Sequence, residues 1–146
     1  MKIIIDNRRG LHGYEILDKH ECGLVLQGWE VKSARAKTVN LTNSYCFFRR
    51  GEFFLYNASF KSWMLQKNDE TRERKLLMHK NEIIRLQNKL EKVGNGTILP
   101  TKIYFNEQGR VKIEVALVVS LRKEDRRQAI KEKDAQKYIK KIEVLY

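Results

Sequence analysis

Ile98-Leu-Pro-Thr-Lys-Ile-Tyr-Phe-Asn-Glu-Gln-Gly-Arg-Val-Lys-Ile-Glu-Val-Ala-Leu-Val-Val119 is the stretch on which the fold turns. Two apolar runs, Ile98–Phe105 and Arg110–Val119, flank Asn106-Glu-Gln-Gly109, which has the composition of a turn. In the second run Val111, Ile113, Val115, Leu117 and Val119 alternate with Lys112, Glu114, Ala116 and Val118. A period of two belongs to a strand with one face in the core. The two runs therefore predict a long β-hairpin.

Upstream, Tyr45-Cys-Phe-Phe-Arg-Arg50 and Phe53-Phe-Leu-Tyr56 are separated by Gly51-Glu52 and predict a second hairpin. Further strands are expected over Tyr14–Leu17 and Gly23–Leu26, rich in Ile, Leu and Val. Gly28 ends the latter, and Glu30 suits a helix N-terminus, so a short helix is expected over Trp29–Ala36. A polar loop, Gln66–Thr71, precedes a long helix from about Arg72 to Lys92. There Leu76, Ile83, Leu86, Leu90 and Val93 recur along one helical face, with Arg74, Arg85, Lys89 and Lys92 opposite. Gly94-Asn-Gly96 stops it. At least five strands with one long and one short helix in so small a chain predict a mainly β fold, an OB-like closed barrel.

At 146 residues the chain is long enough for one domain with a real core. Its 30 Lys and Arg against 18 Asp and Glu give a formal charge of +12. Such a balance attracts polyanions, and a nucleic-acid backbone is the usual one. No apolar run approaches the ~20 residues that span a bilayer. The opening Met1-Lys-Ile-Ile-Ile-Asp6 is shorter than the ~7–15 apolar residues of a signal peptide. A cytoplasmic protein is expected, with Cys22 and Cys46 as free, apolar thiols.

No catalytic constellation is found. The three histidines His12, His20 and His79 are scattered, and no phosphate loop, nucleophile elbow or paired metal motif occurs. Neither a cofactor nor a metal is expected. Residues 122–146 differ in character. They carry nine basic and five acidic side chains, with no Gly or Pro. They are expected to form a basic C-terminal tail behind a domain of residues 1–121, disordered alone and able to fold against a partner through the weak stripe Ala135, Tyr138, Ile139 and Ile142.

Several blocks stand in a fixed order: His20-Glu-Cys-Gly-Leu24, Leu26-Gln-Gly-Trp-Glu-Val-Lys-Ser33, Asn40-Leu-Thr-Asn-Ser-Tyr45, Arg74-Lys-Leu-Leu-Met-His-Lys80 and Tyr104-Phe105. In order and spacing, from about Asn7 to about Asp134, the chain resembles the SsrA-binding protein family, small protein B. The resemblance implies an OB-like barrel that grips the tRNA-like part of transfer-messenger RNA (tmRNA). It implies a body that stands in for the missing anticodon arm. It further implies a tail that lies as a helix in the empty mRNA channel of a stalled ribosome. The implied partners are tmRNA, the ribosome, alanyl-tRNA synthetase and the elongation factor that delivers aminoacyl-tRNA. A monomer is expected.

Folded RNA is read through its shape, its 2′-hydroxyls and its unstacked bases. Lys32, Arg35, Arg74, Lys75 and Arg110 offer cations for phosphates. Glu21, Glu30, Asn40 and His79 offer polar groups for base edges, and Tyr45 and Leu77 offer surfaces for base faces. The resemblance implies that Glu21, in the place of the family's Glu-Ala-Gly turn, and Leu77, the second Leu of its Lys-Leu-Leu segment, meet the RNA elbow. Arg122, Lys123, Asp125, Arg126, Arg127, Lys131 and Lys133 are the implied ribosome contacts of the tail. The chain departs from the family at Asn43, at Ser59 (where a His is usual), at Ser120-Leu121-Arg122 and at Glu124. Two rival functions fit the composition: a general single-strand binder on an OB barrel, and a module whose basic tail targets acidic proteins.

Overall fold

In the computed structural model, which describes residues 1–62 and 68–121, the predicted C-terminal hairpin is present. Strands β8 (Gly96–Phe105) and β9 (Val111–Ser120) run antiparallel. Ile98, Ile103, Ile113, Val115 and Leu117 enter the main core. Leu99, Ala116 and Val118 form a second, smaller cluster on the other face, covered by Leu11 and Tyr14. The pairing slips between Pro100 and Lys102. Proline has no N–H to give the ladder. Here β8 also changes its neighbour on its other edge. Cys46 of β4 (Tyr45–Arg49) pairs with Ile98, while β1 (Lys2–Asp6) pairs with Lys102–Phe105. Asn7 fills the gap, donating from its backbone to Thr101 O (2.8 Å) and from its side chain to Pro100 O (2.8 Å).

The second predicted hairpin is also present. It joins β4 to β5 (Glu52–Tyr56) in the register Tyr45↔Tyr56, Phe47↔Phe54. The two strands expected over Tyr14–Leu17 and Gly23–Leu26 prove to be one, β2 (Tyr14–Leu24). The polar run Asp18–Glu21 suggested a break, but it pairs along β9 from Leu117 to Glu114, with a bulge between Ile16 and Asp18. Period-two reading fails where a bulge resets the phase.

The largest correction concerns the long helix. Arg74–Leu77 is a strand, β7, and the helix α3 begins only at Lys80 and ends at Val93. Lys and Leu favour helices weakly, and tertiary pairing overrides that preference. Leu76 of β7 lies opposite Phe53 of β5 on one edge and Leu24 of β2 on the other. Leu86 and Val93 are buried on the inner face of α3. Gly94 ends it at φ 76°, a left-handed conformation that glycine adopts freely, with its N–H on Leu90 O.

The short helix α2 (Gly28–Arg35) is opened by a capping box between Gln27 and Glu30. A one-turn helix, α1 (Arg8–Leu11), and a two-strand ladder of β3 (Val39–Asn40) with β6 (Ser59–Phe60) complete the elements. The molecule is mainly β. Its seven-stranded antiparallel sheet runs β1-β8-β4-β5-β7-β2-β9, and β9 pairs again with β8. The pairings from β8 through β4, β5, β7, β2 and β9 therefore return to β8. No helix among the described residues is long and apolar enough to cross a membrane.

Candidate RNA-facing surface

Residues directly opposite in an antiparallel pair point to the same side. Followed strand to strand, the registers trace one outward band. Tyr45 lies beside Tyr56, ring centres 5.2 Å apart, and Phe47 stacks on Phe54 at 5.7 Å. The Arg49 guanidinium sits 4.5 Å over the Phe54 ring and donates to Glu73 (3.1 Å). Phe54 is opposite Lys75 on β7. Two residues along the same strand comes Leu77, 52% exposed, an unusual place for a leucine.

Leu77 is opposite Gly23 of β2. A Cβ at Gly23 would lie 3.2 Å from the Leu77 Cβ. The glycine thus lets an exposed leucine lie flat across the sheet. On the same side of β2, two residues before Gly23, is Glu21. Its carboxylate accepts a hydrogen bond from the Tyr104 hydroxyl of β8. Burial holds the Tyr104 phenol above its usual pKa, and the hydrogen bond to Glu21 adds to the shift. The group therefore stays a donor throughout the neutral range. Next to it, Glu114 accepts from Thr101 Oγ1 (2.6 Å) and lies 3.7 Å from Lys102 Nζ. Met1, Lys19, His20, Glu21, Lys102 and Tyr104 line a depression of about 400 Å³ here.

Of the residues singled out in the sequence, Glu21, Tyr45, Lys75 and Leu77 fall on this band. Asn40 is exposed on β3 and caps the turn, accepting from Thr42 N (2.9 Å). Lys32 and Arg35 are exposed on α2, and Arg35 borders a second depression of about 890 Å³ with Lys2, Lys37 and Gly109. Arg110 is exposed in the β8–β9 turn, its N–H on Asn106 Oδ1 (2.9 Å). His79 is exposed at the N-cap of α3, with no side-chain cap bond. The seven tail residues from Arg122 to Lys133 lie outside the described residues.

Glu30 and Arg74 are corrected: both side chains are fully buried and face each other. Arg74 Nε donates to Glu30 Oε2. Its two Nη atoms reach Ala58 O (2.7 Å), Arg72 O (3.0 Å) and Glu70 O (2.9 Å), and its guanidinium lies 4.2 Å over the Phe60 ring. Arg72 Nε adds a bond to Glu30 Oε2 (3.0 Å). Desolvation pulls the Arg74 pKa down against the opposing pull of Glu30. Arg74 falls on the inward side because it shares a face with Leu76, so it ties α2 to β7 and is withdrawn from any ligand.

Tyr56, Phe47, Phe54, Arg49 and Tyr104 belong to the band but are not among the site residues named from the sequence, although Tyr104-Phe105 is one of the blocks that carry the resemblance. The hairpin register alone places Tyr56 beside Tyr45. Tyr104 needs the registers of three strands, which no local pattern carries. The expected free thiols are both buried. Burial, with Glu82 and Glu21 adding to it, pushes the Cys22 thiol up to about 12, and burial pushes Cys46 well above its usual value. Among the described residues no three potential ligands group to hold a metal.

An antiparallel, strongly basic β protein with a row of rings, bordering cations and a held carboxylate on one outer face has the make-up of an RNA-binding protein. The family model of the SmpB protein matches residues 4–144, and the chain belongs to that family. The SsrA-binding protein of Mycoplasmopsis fermentans is 63% identical over 142 residues, 97% of either chain. That of Mycoplasmopsis agalactiae is 57% identical, covering 100% of this chain and 99% of its own. A solved chain described as "tmRNA-SmpB: a journey to the center of the bacterial ribosome" superposes with a TM-score of 0.69 at 41% identity, over 86% of this chain and 93% of that one.

Proposed function

We propose that this chain binds the tRNA-like domain of tmRNA and delivers it to stalled ribosomes, where trans-translation tags the incomplete peptide. Membership in the SmpB family over nearly the whole length supports this. The observation that carries it is the outer band, where exposed Leu77 lies across Gly23 between Lys75 and the held carboxylate of Glu21. Rings and an exposed leucine suit unstacked bases, the carboxylate suits base N–H groups, and the bordering cations suit phosphates.

The circuit of strand pairings supports an OB-like closed barrel as the scaffold. The RNA-contacting set is then Glu21, Lys32, Arg35, Asn40, Tyr45, Lys75, Leu77, His79 and Arg110, without Glu30 and Arg74. Residues 122–146 act as the tail that reaches the decoding centre and mRNA channel, with Arg122, Lys123, Asp125, Arg126, Arg127, Lys131 and Lys133 as contacts. Alanyl-tRNA synthetase and the delivering elongation factor are met through the RNA. The protein works in the cytoplasm, as a monomer and not as an enzyme.

Competition binding tests this reading. Labelled tRNA-like domain held by the protein should resist an excess of unstructured oligonucleotide. A general single-strand binder on the same scaffold would release it, because stacking alone tolerates any sequence.

A further inference from the structure

Glu21 and Glu114 are directly opposite one another on β2 and β9. Two like charges in that position repel and weaken a sheet. The simplest remedy on a chain this basic is a lysine between them. Instead the one nearby cation that forms an ion pair here, Lys102, goes to Glu114, together with the Thr101 hydroxyl. Among the described residues Glu21 forms no ion pair. Among those residues its side chain has one hydrogen-bond partner, the hydroxyl of Tyr104.

The route of that contact is specific. Tyr104 belongs to β8 and is opposite Lys112 of β9, while Glu21 belongs to β2 on the far side of β9. The tyrosine therefore crosses the whole width of β9, over the step between Lys112 and Glu114, to reach the carboxylate. Tyr104 is only 6% exposed, and Lys102 Nζ sits 5.8 Å from its ring centre. A lysine in this place would cancel the charge of Glu21. A neutral phenol fixes one oxygen and leaves the charge intact, with lone pairs still open on an exposed side chain.

We propose that Tyr104 is a positioning residue for RNA recognition: it holds Glu21 as an oriented, un-neutralised acceptor for the N–H donors of an unstacked base. This rests on the proposed binding of tmRNA. Orientation matters because hydrogen bonds weaken steeply away from linearity. Tyr104 itself touches no RNA, since its ring is covered and its hydroxyl is spent on Glu21. Base edges carry the N–H donors that an acceptor can read, and phosphates carry none, so Tyr104 acts on selectivity and not on electrostatic attraction.

The test is a double-mutant cycle on the full chain, with the tRNA-like domain of tmRNA as probe and an unstructured oligonucleotide as control. Tyr104→Phe should weaken binding of the tRNA-like domain by about 3- to 10-fold, the usual net effect of one hydrogen bond. It should leave the oligonucleotide affinity and the salt slope of binding unchanged. Glu21→Gln should weaken binding as much or more, and adding Tyr104→Phe to it should cost nothing further. Full affinity in Tyr104→Phe, or losses that simply add, would overturn the proposal. A purely structural role would lower both affinities together. A second measurement needs no substitution at Tyr104: its ring-carbon NMR titration in RNA-free protein should lie above that of an ordinary tyrosine, and Glu21→Gln should bring it down. An ordinary titration in the wild type overturns the contact itself. Wild-type protein that does not prefer the tRNA-like domain overturns the functional reading, and this proposal with it.

Discussion

Glu30 and Arg74 show how a single residue can mislead when its chemistry is read without its face. Each looks like a surface group in the sequence, yet together they form a fully buried pair with Arg72 on the rim. Removing one member of such a pair strands the other charge in the interior, which typically costs about 3–5 kcal/mol. Glu30→Gln should therefore lower the urea midpoint strongly, while the protein that remains folded keeps its RNA affinity. Loss of affinity without loss of stability would return Glu30 to the RNA surface. Leu77 behaves in the opposite way. It is half exposed over Gly23, so Leu77→Asp should impair RNA binding while moving the melting temperature little. A large fall in the melting temperature would make it a core residue. Glu21 and Leu77 were legible in the sequence only through the family resemblance. Burial at Glu30 was not legible, because it depends on contact with Arg72 and Arg74, more than forty residues away in the chain.

Elements whose pattern is local are legible in the sequence, and elements or element starts defined by their neighbours are not. The two hairpins announce themselves through alternation and turn residues, and α3 through its apolar stripe and Gly94. The strand β7 carries four residues of helix-tolerant type, and only its two flanking strands make it extended. The same holds for the polar half of β2, where Asp18 also ties α3 to the sheet. Asp18 Oδ2 receives Lys89 Nζ at 2.6 Å and lies 2.8 Å from His20 Nε2. Burial raises the Asp18 pKa, but the hydrogen bonds from Lys89 and His20 outweigh it, leaving it below 3.8. A carboxyl depressed in the folded state contributes stability that is present above its unfolded pKa and is lost as pH falls through the folded one. Partial exposure keeps that contribution below about 1 kcal/mol. Asp18→Asn should thus lower stability slightly at neutral pH and flatten its fall in the window below about pH 4. An unchanged acid limb, followed by circular dichroism of α3, would show that the tie carries no weight.

For the whole molecule, charge distribution predicts a division of labour. Residues 122–146 hold +4 of the net +12, which leaves +8 on residues 1–121. Truncation after Leu121 should keep affinity for the tRNA-like domain within a few-fold and abolish tagging on ribosomes stalled at a message end. A truncated protein that still supports tagging would make the tail dispensable. Affinity of the full chain should fall at least ~10-fold between ~50 and ~200 mM salt, as expected when several phosphates are neutralised. The return of β9 to β8 has a consequence for motion as well. β9 is paired along nearly its whole length with β2 on one edge and β8 on the other, so it cannot peel away without rupturing two rows of backbone bonds. Within the seven-stranded sheet β1 lies outside the loop, held to β8 along one edge. Amide protons of β9 should then exchange with deuterium at the rate of global opening, while those of β1 escape earlier by local fraying. The molecule would come apart as a hoop does, all at once after the first cut, with a single loose end that moves before the rest.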